Sequence, residues 1–413
     1  MDRLLRITTK VYSSKIMRII QDTLKMMFPI MLLGSFAEVI KICFLTPTGF
    51  MASIFKITDW LPYYRGIAWV MVVTFHCTID MMALYGAFGM AHFTAKMYGE
   101  KTSIAGAVGL MAFLIISFQP TDTGIPNFNS RLMSQGMLFS LFVGYFCGRV
   151  TAALVNPKKD ELFQMIKPVS VVIVFSAITN VLLGFMGKLD APTYVASFVT
   201  QHTQSNALLY VLGMGVLTNF LSWIAFGGPF VNSPTFNDAP SLANLNAALK
   251  AGSSWNVPFK FTDTTLYHSF ADFGGTGVIL ALIIAILIFS KKQNNRSVSK
   301  WSIFPAIFNS HYSMMLGIPI LFNPIFLIPF IFAPLINMSI AALLLSIRWI
   351  PAAAYPVPSG TPGPLIAFIG TNGNWLALIL GIILIALDVM IYMPFVKLAD
   401  RTSEEAGNED EEI

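Results

Sequence analysis

Repeated apolar runs, each long enough to cross a bilayer core of about 30 Å, constrain this chain more than any other feature of its sequence. Stretches such as Gly277 to Ser290 and Trp375 to Pro394 are nearly solid with Leu, Ile and Ala. A transmembrane β-barrel needs apolar and polar residues alternating in segments of roughly ten, and these runs do not alternate. Only 11% of the 413 residues are charged, against roughly a quarter in soluble domains. The fold class expected is therefore an all-α polytopic membrane protein.

Six spans are read in the first half, at about 27–46, 66–90, 103–119, 133–154, 168–187 and 206–226. With the N-terminus inside, the cytoplasmic connections receive Lys96, Lys101, Lys158, Lys159 and Lys167, and the outer loops only Lys56, Arg65, Arg131 and Lys188. That is the positive-inside bias, and it explains the net charge of +5 without any nucleic-acid partner. The next strong run, 275–290, leads into Lys291, Lys292, Arg296 and Lys300, which also belong inside. Two consecutive spans cannot both run inward, so residues 227–274 must hold a further crossing or an equivalent re-entrant excursion. Runs at about 319–347 and 374–395 follow, separated by the Pro/Gly-broken YPVPSGTPGPLIAF. The total is about ten transmembrane helices plus re-entrant hairpins in the C-terminal half, with both termini cytoplasmic. Residues 1–26 place Leu4, Ile7, Val11, Ile16 and Ile19 opposite Arg3, Arg6, Lys10 and Arg18, which predicts an interfacial helix. No cleavable signal peptide is expected there. Residues 27–200 form an N-terminal membrane half, 201–396 a C-terminal half, and 397–413 an acidic cytoplasmic tail, expected to be irregular from Glu404 onward.

The three cysteines, Cys43, Cys77 and Cys147, form no metal-binding pattern and are expected to be free, buried thiols. Gly187-Lys188 lacks a phosphate loop's upstream glycine, and Gly275-Thr276-Gly277 fails the dinucleotide fingerprint, so no cofactor or metal site is expected. Chemistry must lie in polar groups at membrane depth, which are costly there. Glu38 with Lys41, and His76 with Asp80, sit one helical turn apart and are read first as pairs that satisfy each other. Asp388 is read as reaching the headgroup region. Two clusters point to a ligand. Asn309-Ser310-His311-Tyr312-Ser313 precedes the Gly/Pro-broken Gly317-Ile318-Pro319 and Phe322-Asn323-Pro324, and the polar stretch after the sixth span carries Asn232, Asn237 and Asp238. Interrupted helices are how transporters build sites from helix ends, and Asn, Asp, His and Tyr suit a neutral polyhydroxylated ligand. The expected contacts are Asn232, Asp238, His268, Asp272, His311 and Tyr312, each by hydrogen bonding, with no catalytic residue.

At these residues the chain resembles the membrane component, enzyme IIC, of the bacterial sugar phosphotransferase system, in its lactose/cellobiose/chitobiose branch. Ser134-Gln135-Gly136-Met137-Leu138-Phe139 and Phe273-Gly274-Gly275-Thr276-Gly277 match family elements in order. So do Gly317 to Pro324, Ile328-Pro329-Phe330, Thr361-Pro362-Gly363-Pro364-Leu365 and Ile391-Tyr392-Met393-Pro394-Phe395. The resemblance implies a homodimer in the bacterial cytoplasmic membrane whose N-terminal half makes the dimer contact. It implies a permease that moves a disaccharide such as cellobiose, chitobiose or lactose inward for phosphorylation by a separate IIB subunit, itself served by IIA. The family's glutamate position falls on Tyr312, and its Gly-x-His-Gly turn falls on Phe226-Gly227-Gly228-Pro229. Both signature side chains are thus replaced. Two other readings stay open: a degenerate relative acting as a membrane sensor or interaction partner, and an ion-coupled transporter using His76 and Asp80.

Overall fold

The computed structural model describes residues 12, 14–98, 102–119, 127–128, 136–155, 163, 166–187, 208–231 and 239–411. The helices among them are α1 (Lys15–Val39), α2 (Phe50–Phe55), α3 (Ile57–Trp60), α4 (Tyr64–Thr78), α5 (Met82–Met97), α6 (Thr102–Ser117), α7 (Met137–Leu154) and α8 (Ile166–Gly187). They continue with α9 (Leu208–Trp223), α10 (Ala239–Ala251), α11 (Ile279–Phe289), α12 (Gln293–Ile307), α13 (Tyr312–Gly317), α14 (Pro324–Ser346), α15 (Gly363–Gly370) and α16 (Trp375–Glu411). The helical expectation holds, with one small exception: β1 (Phe118–Gln119) pairs antiparallel with β2 (Asn127–Phe128). Six described helical segments are long and apolar enough to cross a membrane: Lys15–Phe44, Tyr64–Met97, Met137–Leu154, Ile166–Gly184, Pro324–Ser346 and Trp375–Glu405. Ile104–Ser117, Leu208–Trp223 and Ile279–Phe289 are shorter apolar helices. The protein is an integral membrane protein.

The chain divides into two compact units. One comprises the described residues within Lys10–Met31 and His76–Ser197. Its core is built on Ala83, Ala87 and Ala91, which recur every four residues on α5 and are fully buried with Phe113 and Cys147. Small residues let backbones approach without a hydrophobic driving force between helices. A Cβ added at Gly109 of α6 or Gly144 of α7 would fall 2.7 and 2.6 Å from the Ala87 carbonyl oxygen. At the end of α6, the Asn180 amide of α8 donates to the carbonyls of Ile115, Ile116 and Phe118. In this unit Asp80 accepts a hydrogen bond from His76 across the break between α4 and α5, as the sequence spacing predicts. Cys77, expected to be buried, is exposed, whereas Cys43 and Cys147 are buried. Its helix, α4, buries none of its residues.

The other unit comprises the described residues within Leu32–Phe75 and Phe198–Ile413. The stretch after α9, where parity demands an excursion, carries α10, an irregular loop and a π-helical turn at Thr264–His268 in place of one continuous helix. Side chains satisfy the freed backbone: the Asn244 amide donates to Phe259 O at 2.7 Å, and its carbonyl oxygen accepts from Phe259 N at 2.9 Å. The GIPILFNP segment breaks α13 from α14, with Asn323 capping α14 through Ile325 N and Pro324 in its first turn. Trp223 at the end of α9 holds that break, donating from Nε1 to Asn323 O and accepting from Phe322 N at its carbonyl.

Asp388 does not reach outward. It is fully buried on α16, and its Oδ2 accepts from the Asn337 amide of α14 at 2.8 Å. The irregular tail expected after Glu404 is also corrected, because α16 runs without interruption to Glu411. The helix is tied down before it ends: Asp400 is buried and accepts from Ser290 Oγ, at 3.1 and 3.0 Å, and from Lys291 N at 2.8 Å. Glu404 and Glu405, which follow this anchor, are good helix formers.

Candidate functional site

A polar cavity of about 240 Å³ lies within the second unit. Four stretches far apart in sequence line it together with Val231: residues 38–43 at and just past the end of α1, 264–276 around the π turn, 308–312 between α12 and α13, and 353–366 before and within α15. Each is irregular or helix-terminal, so each brings backbone groups and side chains to one place.

The glycine-rich loop Phe273–Gly277 forms one wall. Gly274, Gly275 and Gly277 have φ of 79°, 94° and 79°, angles that favour glycine. Three elements fix this loop. Asn309 Oδ1 accepts from Gly274 N at 3.0 Å, Asn219 Oδ1 from Gly277 N at 3.2 Å, and Gly277 O accepts from the Tyr392 hydroxyl at 2.5 Å. Gly275 is also needed for space, since a Cβ there would fall 2.4 Å from His311 Nδ1. Asn309 further donates to Thr361 O at 2.9 Å, tying the turn after α12 to the segment before α15.

Among the expected contacts, His268, Asp272, His311 and Tyr312 all line the cavity. Asn232 and Asp238 lie outside the described residues, although Val231, next to Asn232, lines the cavity. His268 Nδ1 is 3.9 Å from Asp272 Oδ2, too far for a hydrogen bond. Asp272 Oδ1 and His311 Nδ1 have no hydrogen-bond partner among the described residues. The His311 ring stacks on Tyr312, with centroids 4.5 Å apart and planes at 25°. Thr264, Ser269, Ser310 and Thr361 add polar groups to the lining, and Phe308 and Tyr355 add aromatic ones.

A neutral imidazole at His268 or His311 offers one donor and one acceptor nitrogen.

Sequence reasoning missed Glu38. It lines the cavity and accepts a hydrogen bond from Ser310 Oγ. Lys41 turns to the Phe75 ring, its ammonium 4.1 Å from the ring centroid. The only available signal was the cost of a carboxylate near a span end, and a serine 272 positions away left no local pattern.

Helices that stop, turn and restart around a polar cavity, in a chain otherwise built of membrane-length apolar segments, define a membrane protein of the permease type. The chain belongs to the family described as Phosphotransferase system, EIIC, which matches residues 21–334. The family membership expected from the resemblance therefore holds. The chain is similar to the PTS system lactose-specific EIICB component of Staphylococcus haemolyticus, 25% identical over 397 residues, covering 88% of this chain and 67% of that one. The component of the same description from Staphylococcus epidermidis is 24% identical over 401 residues, with the same coverage. The chain thus spans about two thirds of the length of these relatives. A crystal structure of the transporter ChbC, the IIC component from the N,N'-diacetylchitobiose-specific phosphotransferase system, aligns at a TM-score of 0.44 with 22% identity, covering 97% of this chain and 98% of that one.

Proposed function

We propose that this chain is the sugar permease subunit of a phosphoenolpyruvate-dependent phosphotransferase system and that its cavity takes a disaccharide of the lactose, cellobiose or chitobiose kind. The observation that carries the proposal is the convergence of His268, Asp272, His311 and Tyr312 on one cavity in an EIIC-family chain. Neutral imidazoles, a phenol and hydroxyls donate to and accept from sugar hydroxyls, while Phe308, Tyr312 and Tyr355 offer aromatic faces to a ring. The lactose-specific description of the curated relatives supports the same substrate class. Asn232, next in sequence to the lining residue Val231, and Asp238 beyond it complete the proposed contact set.

Ten crossings with both termini cytoplasmic follow if α10 and the loop after it make the excursion that charge parity needs. The chain works as a homodimer, with residues 27–200 as scaffold and 201–396 as the half that carries the sugar, and it presents the sugar to a separate IIB partner, itself served by IIA. The binding test is calorimetry or thermal shift on the folded, detergent-solubilised protein with lactose, cellobiose and chitobiose. Saturable binding of one of them, lost in His311→Ala and Asp272→Asn, is the expected result. No binding of any of the three to folded protein would sink the proposal.

A further inference from the structure

Between Asp272 and Asp388 the chain contains no aspartate or glutamate, and within that stretch Lys291, Lys292, Arg296 and Lys300 crowd the elbow where α11 gives way to α12. None of these cations forms an ion pair among the described residues. The carboxylate that reaches the elbow, Asp400 of α16, is taken up by uncharged donors: Ser290 Oγ, the main-chain nitrogen of Lys291 and, at 3.5 Å, the Asn295 amide. Those bonds fix the elbow against α16 without neutralising it. Lys397, on the preceding turn of α16, brings a further ammonium to 5.3 Å from the centroid of the Phe289 ring at the end of α11. The exposed Glu404 and Glu405 follow one turn beyond Asp400.

The outward face of α12 changes character along its length. Val298, Ser299, Ser302, Pro305 and Ala306 are buried. The opposite face starts with Arg296 and Lys300, one turn apart, and goes on to Trp301, Phe304 and Ile307, all exposed and spaced by three. Trp301 stands at the changeover with 64% of its surface open. Cations, then a tryptophan, then apolar side chains is the order met in passing from lipid headgroups to acyl chains. None of these residues lines the polar cavity.

We propose that the elbow between α11 and α12 binds an anionic phospholipid: Lys291, Lys292, Arg296 and Lys300 meet the phosphate of its headgroup, and Trp301, Phe304 and Ile307 lie against its acyl chains. Basic clusters beside a membrane-embedded helix attract anionic headgroups. The apolar half of the face selects a lipid over a soluble anion or an acidic protein segment, since neither of those would cover it. The site is separate from the cavity, so it stands or falls independently of the sugar reading.

The test places the full chain in nanodiscs that mix phosphatidylglycerol with phosphatidylcholine, one or the other carrying brominated acyl chains, and reads the quenching of tryptophan fluorescence. The difference between wild type and Trp301→Phe isolates the signal of Trp301 among the seven tryptophans. Each cation near an anionic headgroup is worth up to about fivefold, so phosphatidylglycerol should be preferred at Trp301 by at least about tenfold. Arg296→Gln combined with Lys300→Gln should cut that preference to about threefold or less. Adding Lys291→Gln and Lys292→Gln should abolish it, and the anchor on Asp400 survives because it uses the Ser290 hydroxyl and a main-chain nitrogen. If the fourfold variant does not fold, the double variant decides. Equal quenching by the two lipids in folded wild type overturns the proposal and leaves the basic face to a soluble acidic partner. A preference undiminished in the double variant overturns the assignment to these side chains. Excess inorganic phosphate, added at constant ionic strength, should leave the preference intact; its loss would mean a plain anion site and overturn the lipid assignment.

Discussion

Ser310 and Glu38 are joined by a hydrogen bond although 272 residues separate them, the serine hydroxyl donating to a carboxylate on the last turn of α1. The contact links the first membrane-length helix to the polar turn before α13 and fixes where an acidic oxygen faces the cavity. Ser310→Ala removes this donor. Losing one hydrogen bond to a charged group costs about 1.5–3 kcal/mol, so the variant should lose a few degrees of melting temperature and bind sugar at least about fivefold more weakly. A variant indistinguishable from wild type in both measurements would show that Glu38 is oriented by something else.

Gly275 and Gly252 form a paired test of space against backbone strain. Both have positive φ, 94° and 62°, but a Cβ at Gly275 would strike the His311 ring, whereas nothing lies within 4 Å of one at Gly252. Gly252→Ala should cost about 1 kcal/mol from backbone conformation alone and leave sugar affinity unchanged. Gly275→Ala should cost more and abolish binding, because His311 has to move. Equal effects of the two substitutions on affinity would show that the position of His311 does not matter.

The long helices were legible because hydropathy alone marks them. The run at 168–187 emerges as α8, that at 206–226 as α9, and that at 319–347 as α14 once Asn323 and Pro324 set its start. The polar break at 309–313 was legible for a related reason, since side chains that costly at membrane depth mark a cavity or a turn. The partners that close the cavity left no such trace. Glu38 meets Ser310, Asn309 meets Thr361 and Asn219 meets Gly277, at separations of 272, 52 and 58 residues, where no periodicity reaches. Local rules even pointed elsewhere at Glu38, because Lys41 stands one turn away and an i,i+3 pair is the ordinary reading. The continuation of α16 past Glu404 was hidden in the same way, since its anchor is Asp400 on Ser290 and Lys291.

His76 and Asp80 offer a test of ion coupling. They contact each other and are substantially open, with side chains 55% and 34% exposed, and neither lines the cavity. Asp80→Asn should leave disaccharide affinity and phosphorylation-dependent uptake within about twofold of wild type, because exposed pairs contribute about 0–1 kcal/mol. Uptake that collapses in this variant, and in wild type on discharging the proton gradient, would favour an ion-coupled transporter.

Asp388 and Asn337 form a buried pair whose logic is asymmetric. The Asn337 amide donates to Asp388 Oδ2, while the second oxygen of Asp388 and the side-chain oxygen of Asn337 have no partner among the described residues. Removing one member leaves the other buried with its polar group unsatisfied, at a cost of about 1–3 kcal/mol. Removing both leaves no such debt. Asn337→Leu should therefore lower the melting temperature clearly, and adding Asp388→Leu to it should recover most of the loss, because a buried polar pair is often replaceable by apolar residues. A double variant no more stable than Asn337→Leu alone would mean that Asp388 is held by contacts beyond this pair.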